Sequence, residues 1–115
     1  MTVDELIAAT GFAATVLSDG GQAVTGGFVG DRPSEAIAKA REGYALITSL
    51  PNTAMAAAAY GTMASCLILT DGVTPGEDLV QAACGHEVNL LQSPAGAFAT
   101  AVLVGRVLEK GTGAT

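Results

Sequence analysis

Hydrophobic positions along this chain alternate between two rhythms. Short, mainly apolar runs recur at 44–50, 65–70 and 88–91; the first lies between Gly43 and Pro51, and the second leads into Asp71-Gly72. Between them lie longer Ala- and Leu-bearing segments whose spacing fits helices. The first segment begins at Thr2, with Glu5 three positions on as a capping box, and stops at Gly11. A strand is predicted over 13–17, then a polar turn at Ser18-Asp19-Gly20-Gly21. Pro33 marks a second helix, capped by Asp31 or Ser34, running to about 41 and stopping at Gly43. Pro51-Asn52 opens a helix that ends near Gly61. Asp71-Gly72 turns the chain, and Pro75-Gly76-Glu77 starts a helix to about Cys84, ended by Gly85. A last helix starts at Ser93 or Pro94 and runs to about Lys110. Near-continuous apolar strands joined by helices predict an α/β fold: a layered, mainly parallel or mixed sheet with helices on both faces. The expected organisation is one domain over residues 1–111, with a frayed tail at 112–115.

The densest irregularity is Val24-Thr25-Gly26-Gly27-Phe28-Val29-Gly30-Asp31, with three glycines in five positions and a brief strand expected at Phe28-Val29. A glycine-rich loop running into a helix can cradle an anion. Glycine clusters also mark tight turns and close packing, with positive φ at Gly26 and Gly27 as the expected reason. Two specific phosphate motifs fail here. No lysine follows Gly30 as a Walker A loop requires, and Thr25 stands where a dinucleotide fingerprint needs its first glycine. Asp31, beside the glycines, is read either as a helix cap or as a partner for a ligand hydroxyl. Thr48, Asn52, Thr70 and Asp71 follow strand ends, where ligands gather in open α/β sheets. Ordinary turn chemistry also places such residues there.

Composition narrows the function classes. The 115 residues are 50% hydrophobic and only 14% charged, the reverse of a disordered chain. Net charge is −6, with Arg32, Lys39, Arg41, Arg106 and Lys110 as scattered cations. A nucleic-acid partner is therefore not expected, nor is a membrane. The two cysteines, Cys66 and Cys84, make no framework. Met1 leads into an acidic amphipathic segment without a secretory pattern, so the expected location is cytoplasmic. His86 is the sole histidine, so nucleophilic triads would depend on it, and no zinc spacing surrounds it. No catalytic or metal residue is assigned, and no enzyme activity is expected.

The segment from Val24 to Asp31 resembles the signature of DRTGG domains. The likeness continues through Ser34, Ala40-Arg41-Glu42-Gly43, Leu46-Ile47-Thr48, Pro51-Asn52 and Leu67-Ile68-Leu69-Thr70, and covers nearly the whole chain. The naming pentapeptide falls on Ala23-Val24-Thr25-Gly26-Gly27, so its Asp and Arg are missing. The family is similar to the N-terminal domain of HPr kinase/phosphorylase, and related domains sit beside CBS domains in regulated pyrophosphatases and before some phosphotransacetylases. The resemblance implies a non-catalytic regulatory or sensing module, and a regulated enzyme as partner. It has no obligate cofactor, although an adenine nucleotide is the implied regulatory ligand. Such a small anionic ligand is expected at the glycine-rich edge, on Thr25, Gly26, Gly27, Gly30, Asp31, Thr48, Asn52, Thr70 and Asp71. The alternative is a purely structural dimerisation domain without a ligand.

The last helix carries Phe98, Val102, Leu103, Val104, Val107 and Leu108, apolar on nearly all sides. Ala97, Ala101 and Gly105 share one face at spacings of four. A homodimer is expected, with Ala97, Phe98, Ala101, Val104, Gly105 and Leu108 in its interface. A helix sandwiched inside the monomer gives the same pattern.

Overall fold

The computed structural model describes residues 1–111, so the tail expected at 112–115 lies outside the described residues. Thr2 and Glu5 form the capping box. The Glu5 N–H reaches Thr2 Oγ1 at 3.2 Å, and the Thr2 N–H reaches Glu5 Oε1 at 2.8 Å. Helix α1 (Val3–Thr10) follows and closes on Gly11 at φ 76°. Strand β1 (Ala13–Val16) comes next, and then β2 (Gly26–Val29), which contains two of the three clustered glycines. The remainder alternates: α2 (Pro33–Lys39), β3 (Tyr44–Thr48), α3 (Thr53–Gly61), β4 (Cys66–Leu69), α4 (Glu77–Gly85), β5 (Leu90–Gln92) and α5 (Ala97–Gly111).

The five strands form one mixed sheet in the order β1-β5-β4-β3-β2. Strands β2 to β5 are parallel, and β1 runs antiparallel to β5 at one edge with a bulge at Thr15. Each parallel step moves one place in the same direction, so α2, α3 and α4 share a face. Helices α1 and α5 cover the other.

Side chains alternate across the sheet as the pleat requires. Leu46, Leu67, Leu69 and Leu90 enter the core under α2, α3 and α4. Ala45, Ile47, Cys66, Ile68 and Leu91 enter the core under α1 and α5. Burying each large aliphatic side chain contributes about 1.5–3 kcal/mol. The Ala-rich sequence of α3 has a packing reason. Ala56, Ala58 and Ala59 are fully buried, which lets α3 lie close to the sheet with α2 and α4 at its sides. Among the described residues no helix is long and apolar enough to cross a membrane.

Several element ends differ from expectation. β5 begins at Leu90 because the preceding residues are engaged elsewhere. The Val88 N–H closes α4 on Ala83 O. Asn89 is buried, and its amide donates to Asp19 O and Ser65 O and accepts from the Asp19 N–H. α5 starts at Ala97, and Ser93 instead shares a buried hydroxyl pair with Thr100 at 2.8 Å.

Candidate functional site

The expected ligand residues do not converge. Strand β2 separates them into two groups at opposite ends of the sheet. Thr25 and Gly30 are five residues apart on an extended strand, about 16 Å at ~3.3 Å per residue.

At the amino end, the Thr-Gly-Gly core of the signature serves packing. The Thr25 N–H donates to Gly43 O at 2.9 Å, and Thr25 Oγ1 donates to Glu42 O at 3.0 Å. These bonds clasp the Glu42-Gly43 turn to the start of β2. Gly26 lies under the Tyr44 ring, where an added Cβ would stand 2.8 Å from Cε1. Gly27 has its nearest such neighbour, Ala45 O, at an ordinary 3.5 Å. Neither has positive φ. The glycine whose conformation is required is Gly43, at φ 82°, with a Cβ position only 2.6 Å from Thr25 Oγ1. The stretch is therefore an edge strand, hydrogen-bonded to β3 in register Gly26↔Tyr44 to Val29↔Ile47, rather than an anion cradle leading into a helix.

At the carboxyl end, Asp31 does not cap α2. The N-cap of α2 is Arg32, without a side-chain cap. The Asp31 carboxylate accepts the Ser49 N–H at 2.9 Å, Thr48 Oγ1 at 2.8 Å and Ser49 Oγ at 2.8 Å. The Ser49 N–H first, then the two hydroxyls, hold its pKa below the ordinary aspartate value. Thr48 and Thr70 are buried, and Thr70 Oγ1 donates to Asp71 Oδ2. Both hydroxyls are thus partners of carboxylates within the chain. Ser49, which completes the Asp31 latch, carried no signal in the sequence beyond its place after a strand.

A crevice is expected where loops leave adjacent strands for opposite faces. That point lies between β4, which feeds α4, and β5, which feeds α5. Here the two loops are bonded together. The Asp71 N–H reaches Ala95 O at 2.7 Å, and the Gly72 N–H reaches Ser93 O at 3.1 Å. The open space lies beside it, a cleft of about 440 Å³ between the N-termini of α3 and α4, lined by Pro51, Asn52, Thr53, Gly76, Glu77 and Asp78. Of the nine expected ligand residues, only Asn52 lines it, and its Oδ1 already accepts the Met55 N–H.

A second opening, about 220 Å³, separates β2 from α5. It is lined by Gly27, Val29, Ile47, Ala101, Val104, Gly105 and Leu108. Val104 is buried in the chain's own core, whereas Phe98 is 84% exposed and Val29 47% exposed. The outer edge of β2 pairs with no strand among the described residues.

Cys66 is buried, and burial pushes its thiol up to about 12 against a weak Ser65 contact, so it stays protonated at neutral pH. His86 caps the C-terminus of α4, with its ring stacked on Tyr60. The described residues bring no three His, Cys, Asp or Glu side chains together for a metal.

Among known families, the model of the DRTGG domain matches residues 9–107. No curated protein sequence matches the chain. Among solved structures, the chain is similar to the crystal structure of the CBS and DRTGG domains of the regulatory region of Clostridium perfringens pyrophosphatase, complexed with the activator diadenosine tetraphosphate. Identity is 18% and the TM-score 0.73, over 93% of this chain and 47% of that one. The chain spans about half of that structure's length, and the likeness is one of fold.

Proposed function

Because the chain belongs to the DRTGG domain family, we propose that it is a regulatory module, not an enzyme, and that it works as a homodimer through the face shared by α5 and β2. The observation that carries this reading is Phe98, a large apolar side chain left 84% exposed on the same helix as the groove of Ala101, Gly105 and Leu108. A twofold interface joins one patch to itself, so it needs projections and hollows on the same face. Phe98 supplies the projection and the groove the hollow. The open edge of β2 extends the patch with unpaired backbone groups, which favour pairing with another chain. A regulated enzyme is the further partner this reading implies.

Size exclusion with light scattering tests it. The wild-type protein should run as a dimer and Phe98→Glu as a monomer with an unchanged far-ultraviolet spectrum. A wild-type monomer at tens of micromolar would sink the proposal.

A second reading adds a small anionic ligand, an adenine nucleotide, in the cleft between α3 and α4. Its support is the pair of helix N-termini at that cleft, together with the nucleotide activator in the structure of similar fold. Glu77 and Asp78 oppose free phosphate there, so thermal shifts are measured with AMP, ATP and diadenosine tetraphosphate, with and without magnesium. A ligand that binds only the folded chain raises the melting temperature. No shift with any of them at millimolar concentration removes this reading and leaves the dimer proposal standing.

A further inference from the structure

Helices α3 and α4 end at one corner of the molecule, and they end in the same way. The Ala64 N–H returns to Ala59 O and the Met63 N–H to Tyr60 O. The Val88 N–H returns to Ala83 O and the Glu87 N–H to Cys84 O. Each is a Schellman closure, whose penultimate residue adopts the left-handed conformation and is usually glycine. Here those residues are Met63 at φ 57° and Glu87 at φ 56°. Both positions carry a side chain where the backbone favours none.

Both side chains line one hollow of about 230 Å³, with Gln22, Glu42, Tyr60 and His86 around it. A neighbouring hollow of about 300 Å³ shares Gln22 and Glu42. The rings of Tyr60 and His86 stack with centroids 4.7 Å apart and planes 27° apart, and Tyr60 remains 59% exposed. The floor is fixed, since Gly43 N–H donates to Met63 O at 2.9 Å and Thr25 binds both Glu42 O and Gly43 O.

The chemistry of this corner is one-sided. Two helix C-termini present their negative poles. Glu42 and Glu87 add carboxylates that enter no salt bridge among the described residues. No lysine or arginine lines either hollow. Aromatic faces beside carboxylates suit a flat cation, which stacks on the ring and donates in a fork to the acid. We propose that this hollow binds an arginine side chain of a partner protein. The site shares no lining residue with the α3–α4 cleft or the α5–β2 groove, so it goes beyond the function proposed above.

The test is titration of ¹⁵N-labelled protein with N-acetyl-arginine amide, followed by amide shifts at constant ionic strength. Saturable shifts at Tyr60, Met63, His86 and Glu87 are expected in the millimolar range, with N-acetyl-glycine amide inert and N-acetyl-lysine amide weaker. Glu87→Gly should melt no lower than wild type yet bind about fivefold more weakly or worse, since it loses an ionic partner. Tyr60→Leu should weaken binding similarly. Non-saturating shifts, shifts mapping elsewhere, equal or tighter lysine binding, or undiminished binding by folded Glu87→Gly would each overturn the assignment. The titration reads the same on a monomer or a dimer, so failure of the dimer proposal remains distinguishable.

Discussion

At the carboxyl end of the parallel strands, Asp31 holds three donors, Thr70 binds Asp71, and the loops after β4 and β5 are bonded to each other. At the amino end, Tyr60, Met63, His86 and Glu87 project around a hollow, and the backbone beneath them carries the bonds. The residue types at the carboxyl end look more like a site. Threonines, aspartates and an asparagine after strands are what ligand edges are made of. Yet Asp31, Thr48, Thr70 and Asp71 make side-chain hydrogen bonds inside the chain, whereas Tyr60, His86 and Glu87 make no side-chain hydrogen bond among the described residues. If the hollow binds as proposed, residual bonding capacity and not residue type separates a site from a brace.

The largest expected effect is at the amino end, where the contrast depends on a fixed backbone. Gly43→Val forces a β-branched residue to φ 82° and drives its Cβ into Thr25. A loss of about 2–3 kcal/mol is expected in urea unfolding. Wild-type stability would show that the clasp to Thr25 does not hold this end rigid.

Next comes the carboxyl-end latch. Asp31→Ala should cost about 1 kcal/mol at neutral pH, toward the low end for a charged acceptor because the residue is exposed. The folded pKa is the lowered one. Its stabilisation is therefore complete above the unfolded value of about 4 and is lost as pH falls through the folded value. Asp31→Asn should flatten the loss of stability between about pH 5 and pH 2. An unchanged profile would mean that the latch is idle and its carboxylate available to a ligand, which breaks the comparison.

A smaller effect of opposite sign is expected at Met63 and Glu87. Replacing either with glycine relieves a left-handed side chain and should raise stability by up to about 1 kcal/mol. Destabilisation of both variants would show that these side chains brace the fold and are not spare. The smallest effect belongs to Gly27→Ala, whose new Cβ meets only an ordinary contact. A change within about 0.5 kcal/mol is expected by thermal melting. A larger loss would restore the glycine pair of β2 as a strict backbone requirement.

What the sequence determined by itself is local. The capping box of Thr2 and Glu5, the Asn52 cap and the Gly11 stop act within three or four residues, so spacing alone reveals them. The apolar runs predict buried strands, and their alternation with helices predicts a largely parallel sheet covered on both faces, because a strand buried on two sides has no polar alternation to show. Tertiary structure decided the rest through partners distant in the chain. Gly26 pairs with Tyr44, which extends the brief strand expected at Phe28-Val29 back through both glycines and makes it an edge of the sheet. Asp31 finds Thr48 and Ser49, and Asn89 reaches back 70 residues to Asp19. A glycine reads locally as a turn and an aspartate as a cap, since those are the bonds each can make with near neighbours. Only folding brings up the competing donor that takes the carboxylate away, or sets two helix ends side by side so that Met63 and Glu87 border one hollow.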